Sequence, residues 1–164
     1  MAYNPRSVLG KLLNQAMKDA RGVTLQGIEP GQIVQVGGLS ATTLKNELPD
    51  GKTGILIAPV GSETIDPNAG SNERDEIVYP IGVLIVAPAN EEHNLEKLDQ
   101  WYEWRRRLID HFRHNPLSLT DDNATIWEMT VDPLPIIDST AWAANWFLSA
   151  FMLRCKVLET RGNY

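Results

Sequence analysis

His111 and His114 stand three residues apart beside Asp110, in a segment with helical periodicity. That spacing puts both imidazoles on one helix face, where two metal ligands can share an ion. A third ligand would have to come from His93 or from Asp121-Asp122, and nothing in the sequence brings either close. A polar helix end, where histidine meets exposed carbonyls, is the preferred reading. Asp138-Ser139-Thr140 together with a histidine has the residue types of nucleophilic catalysis. The glycine-flanked serine of a nucleophile elbow is missing, and no base is fixed for Ser139. Cys155 lies in an apolar alternation and reads as a packed strand thiol. Gly51-Lys52-Thr53 has the ending of a phosphate-binding loop, but Asn46 stands where that loop needs its first glycine. The segment also precedes a strand, so a turn at Pro49-Asp50-Gly51 accounts for it better. The sequence therefore predicts no catalytic residue, no metal and no cofactor.

Arg105-Arg106-Arg107 is a basic run in a chain of formal charge -6. Nucleic-acid binding needs a wider basic footprint. Consecutive helix residues also point about 100° apart, so the three do not form one patch. Pairing with carboxylates of the same or a neighbouring subunit is expected instead. Glu103 with Arg107 and Arg106 with Asp110 are spaced four apart for pairing within the helix. Glu73, Asp75 and Glu76 are the candidate carboxylates for contacts between subunits, facing Arg105, Arg106 or Arg107.

These residues need elements to hold them. The arginines and two histidines sit on a helix expected from Asn94 to His114. Its stripe is Leu95, Leu98, Trp101, Tyr102, Arg105, Leu108, Ile109 and Phe112. Asn90 or Asn94 can cap it, acidic Glu91 and Glu92 suit its positive end, and Asn115-Pro116 stops it. A first helix runs from a Ser7 cap to about Ala20 and ends at Gly22. Strands are predicted over Gln32–Val36, Gly54–Val60, Ile77–Ala87, Thr125–Val131 and Asn145–Glu159. Ile77–Ala87 is apolar on both faces and belongs inside a sheet, with Pro80 and Gly82 marking a bulge or local edge. Ser40–Leu48 reads as a short helical turn or loop, and 61–76 as a long polar loop or a flexible hairpin tip, mobile in the free protein. Residues 136–144 read as an irregular connection; a helix over Ser139–Leu148 competes, but the later alternation favours strand.

The expected class is α+β: one domain over 1–164, with a mainly antiparallel sheet carrying an N-terminal helix and one long central helix. The apolar share of 43% suits a globular core. A single cysteine excludes an intramolecular disulfide and any cysteine cluster. No apolar run reaches membrane-spanning length, and Met1–Arg6 lacks a signal-peptide core, so a cytosolic product is expected.

The order of elements resembles the tail terminator and tail completion proteins of long-tailed bacteriophages, and related neck proteins. The resemblance rests on Ile77-Val-Tyr-Pro-Ile-Gly-Val-Leu-Ile-Val86, then Trp101-Tyr-Glu-Trp-Arg-Arg-Arg107, Thr125-Ile-Trp-Glu-Met-Thr-Val131 and the long strand Phe147–Val157. It implies a structural virion protein without catalytic residues, assembled in the host cytoplasm and placed in the tail or neck. Its implied partners are copies of itself in a ring, commonly a hexamer, the tail tube protein, and the head-side connector or stopper. DNA would pass the lumen without specific binding. A head-completion or stopper protein is the nearest alternative, and a small α+β enzyme or ligand-binding domain the more distant one. Trp, Tyr and Arg, enriched at interfaces, are plentiful here, with five tryptophans.

Overall fold

The computed structural model describes residues 4–38, 53–71, 73–88, 95–143 and 146–160. The Ser40–Leu48 segment, the Pro49-Asp50-Gly51 turn, Lys52, His93 and the cap residues Asn90 to Asn94 lie outside the described residues.

Helix α1 spans Val8–Arg21, and the Ser7 Oγ accepts from the Gly10 N–H at 3.0 Å, as the cap predicts. Gly22 ends it, donating back to the carbonyls of Lys18 and Asp19. Strands follow as β1 (Ile33–Gln35), β2 (Gly54–Pro59), β3 (Thr64–Ser71) and β4 (Arg74–Pro88). Helix α2 covers Leu95–His114, β5 Ala124–Pro133, the short α3 Ser139–Ala143 and β6 Trp146–Thr160. The sheet runs β1-β2-β4-β6-β5, with β3 paired to β4 below the end of β2.

The fold is α+β with a mixed sheet of six strands. β1 is parallel to β2, and the other described pairings are antiparallel. The parallel pair is possible because the connection over 36–53 is long enough for a crossover.

Both long helices pack on one sheet face. Leu12, Leu13, Ala16 and Ala20 of α1 join Ile55, Ile57, Ile81, Val83 and Ile85 in the main core. On the α2 side, Trp101, Trp104, Leu108 and Phe112 meet Phe147, Phe151 and Leu153. Burying a large apolar side chain stabilises the fold by roughly 1.5–3 kcal/mol. The other face holds a smaller cluster of Val36, Leu56, Ala58, Leu84 and Val86. Farther along that face the ladder turns polar, with Lys156 against Glu128 at 2.5 Å and Arg154 against Asp132 at 2.6 Å.

The stripe expected on α2 needs three changes. Leu95 is 75% exposed and Tyr102 36%, whereas Trp104 is only 2% exposed. Trp104 tolerates burial because its Nε1 donates to the Gln26 carbonyl at 2.7 Å. Gly27 follows, with φ +84°, and a Cβ there would lie 2.5 Å from the Gln100 amide.

Of the two readings of 61–76, the long polar loop is corrected and the hairpin is the one found. β3 pairs with the start of β4 through Thr64↔Val78 and Ile65↔Ile77, with a register irregularity between Asp66 and Gly70. Sequence polarity misleads here because strand pairing satisfies backbone groups, whatever the side chains. Beyond β2, the edge of β4 offers a row of such groups. Pro80 lies in the gap between the last β2 pair, Pro59↔Ile81, and the first β3 pair, Thr64↔Val78. Its missing N–H therefore interrupts no ladder there. The same strand stays in regular register with β6 through Pro80↔Arg154, so Pro80 marks a local edge rather than a bulge, while Gly82, paired with Ala58 and with Met152, marks neither. Asp138 starts α3 by accepting from the Ala141 N–H at 2.7 Å, so the helical alternative is found over Ser139–Ala143 only, and Trp146–Leu148 belongs to the strand, as the alternation predicts.

Candidate interaction surface

On α2, Tyr102, Arg105, Arg106, Ile109 and Arg113 follow the three-and-four spacing of one stripe. Against this stripe lie Val131 and Pro133 of β5, then Leu134 and Ile136 in the connection to α3. Together they line a groove of about 800 Å³. Its floor is apolar, and among the described residues its charged lining is three arginines, of which Arg106 is paired with Asp110. Ile136 is 57% exposed, and Leu134 and Tyr102 are also exposed.

Arg105 builds this groove. It is 6% exposed, and its Nη1 donates to Ser149 Oγ at 3.0 Å and to the Ala150 carbonyl at 2.5 Å. Nη2 donates to the Leu134 carbonyl at 2.7 Å. The reason lies in the sheet edge. β5 ends at Pro133, opposite Phe151, and proline cannot donate. Past that point the Leu148 carbonyl takes the Asp138 N–H at 2.9 Å, and the Ala150 carbonyl takes Arg105. Burial pulls the Arg105 pKa below its ordinary value, yet a guanidinium stays charged at neutral pH. Its hydrogen bonds go to neutral oxygens, so its positive charge adds to that of Arg113, while Arg106 is paired with Asp110.

The residues singled out from the sequence separate into two groups. Arg105 is withdrawn from any contact between subunits through its own guanidinium, because burial and three acceptors consume it. Arg106 pairs with Asp110 at 3.2 Å and Arg107 with Glu103 at 2.8 Å, the spacing-four pairs expected on the helix. Both pairs are exposed, where such pairs contribute little to stability. Glu73, Asp75 and Glu76 sit on the β3–β4 hairpin, well away from the arginines of the same chain. There Asp75 faces Glu159 of β6, and Glu76 faces Leu158. Lys156 is held above its ordinary pKa mainly by its hydrogen bond to Glu128, with Glu76 a smaller influence.

The residues with catalytic types do not assemble. His114 Nδ1 lies 2.7 Å from the Asp110 carbonyl, one turn back on its own helix. His111 packs edge-on against Phe112. Among the described residues, no three of His, Cys, Asp and Glu converge as ligands. Asp138 is occupied as the α3 cap. Cys155 is fully buried on β6, and burial pushes its thiol up to about 12, far from a reactive thiolate at neutral pH.

A second recess of about 650 Å³ lies between α1, Tyr79, Asp121 and Glu159. Across it Lys11 pairs with Asp121 at 2.5 Å, and the Tyr79 hydroxyl donates to Glu159. Lys11 and the Asn123 N–H hold the Asp121 carboxyl below the usual range.

The groove itself went unread in the sequence. One signal for it exists: Asp132-Pro-Leu-Pro-Ile-Ile137 puts three large apolar residues in a proline-broken connection, where a surface loop is usually polar. No protein-family model matches the chain, and no curated protein matches it in sequence.

Proposed function

We propose that the chain is a structural protein of a tailed bacteriophage virion: a non-enzymatic, ring-forming tail terminator. In this reading it caps the tail tube and joins it to the head-side connector. The resemblance in element order motivates it. The observation that carries it is the α2–β5 groove. Its exposed Tyr102, Leu134 and Ile136 sit among arginines, the composition of a protein–protein contact. The long, finely paired β4 and β6 give the protomer a rigid frame on which such a contact can be presented.

The groove volume also lies in the range of small-molecule sites, so a binding module for an amphipathic anion is the second reading. Native mass spectrometry with negative-stain imaging separates the two. A closed ring of copies is expected for a terminator, and a ligand-binding module would remain monomeric. Phage lacking the protein should then make filled heads and unjoined tails of irregular length. Uniform tails joined to heads would end the terminator reading, and a ring at the head vertex that leaves tail length unchanged would favour the stopper alternative.

A further inference from the structure

The groove has a chemical complement on the same chain. The 61–76 hairpin carries Glu63, Asp66, Glu73, Asp75 and Glu76 against one cation, Arg74. At its centre Ile65 is 57% exposed, on the same sheet face as the groove, since Ile65↔Ile77↔Val157 are in register. Asp75 shares the face of Ile65 and Ile77, whereas Asp66 and Glu76, paired with each other one residue along, point to the opposite face. An exposed aliphatic side chain with carboxylates beside it matches an apolar floor lined with arginines.

One chain cannot make this contact with itself. Ile65 is level with Val157 of β6, whereas Pro133, at the groove, is level with Phe151. Those two levels lie about 20 Å apart along the strand, at ~3.3 Å per residue. Three strand spacings of about 4.8 Å separate β3 from β5 as well. The two surfaces therefore occupy opposite corners of the sheet. Unlike patches at opposite corners make a head-to-tail contact, which closes into a ring when the rotation permits.

We propose that the α2–β5 groove receives the β3–β4 hairpin of a second copy of this chain, with Ile65 on the apolar floor and the hairpin carboxylates facing Arg106 and Arg113. Arg105 acts as a positioning residue, holding the Leu134 wall and adding its charge beneath. The inference rests on the ring reading and names its contact. Arg113 suits the rim because it is exposed and makes no ion pair with a described residue. Salt should weaken the contact, since its charges meet at a partly solvated rim.

The test uses cysteines at the two corners. Ile65→Cys and Ile136→Cys proteins are prepared separately, mixed and oxidised, with assembly followed by native mass spectrometry. Buried Cys155 does not compete. The proposal expects a disulfide-linked pair only in the mixture, and at least about tenfold less of it when the Ile136→Cys protein also carries Arg113→Glu. Glu73→Arg on the other protein should restore part of the yield. An oligomer without that crosslink overturns the hairpin contact and leaves the ring reading standing. Crosslinked open chains support the contact and remove the closed ring. Equal crosslinking of Ile65→Cys with itself marks a symmetric contact and overturns the proposal. A protein that stays monomeric at all concentrations overturns both.

Discussion

Arg105 Nη2 donates to the Leu134 carbonyl at 2.7 Å, tying the middle of α2 to a connection 29 residues farther along the chain. The bond exists because β5 stops at a proline and leaves the neighbouring edge without a strand. A long-range polar contact thus replaces ladder hydrogen bonds at the point where the groove opens.

Replacing Arg105 by Met keeps an aliphatic stem and removes every donor. The Leu134 and Ala150 carbonyls and Ser149 Oγ then lose their partner, at an expected cost of about 2–4 kcal/mol. Arg105→Lys should recover only part, because an ammonium cannot span the same fork of acceptors. Urea denaturation of the three proteins checks the order; equal stability of Met and wild-type forms would remove Arg105 from its organising role.

Phe112 is fully buried and packs 6.3 Å, centroid to centroid, from Phe151. Phe112→Ala should cost about 3–5 kcal/mol, combining lost burial with the cavity left behind. A loss below about 1 kcal/mol by chemical denaturation would mean that α2 docks by another face.

Cys155 should resist thiol reagents in the native protein at pH 8 and react promptly once unfolded. Its folded pKa of about 12 lies above the ordinary 9.0, so the native state keeps the proton longer than the unfolded chain does. The associated stability is fully present below pH 9.0 and is lost as pH rises toward about 12. Cys155→Ala should flatten that alkaline loss, as read from melting temperature against pH.

Asp121 should contribute at the acid end. Lys11 and the Asn123 N–H depress its pKa below 3.8, so its contribution is present above that value. It fades as pH falls through the depressed value. Asp121→Asn should be less stable than wild type at neutral pH, and the difference should shrink in strong acid. A difference that persists unchanged at low pH would point to packing rather than charge.

The sequence by itself determined the local elements. Ser7 and Gly22 bracket α1 because their chemistry serves helix ends. Phe147, Phe151, Leu153, Cys155 and Val157 could be assigned to one buried face of β6 because side chains alternate along a strand whatever the fold. The α+β class followed from those periodicities. Tertiary structure decided what depends on neighbours distant in sequence. β3 is a strand because β4 extends beyond β2 and offers it a partner, which the composition of 61–76 does not encode. Trp104 turns inward because Gln26 presents a carbonyl to it. Arg105 is one of three consecutive arginines in the sequence, yet it alone of them is buried. Only the meeting of α2, the end of β5 and the bared edge of β6 creates the acceptors that hold it.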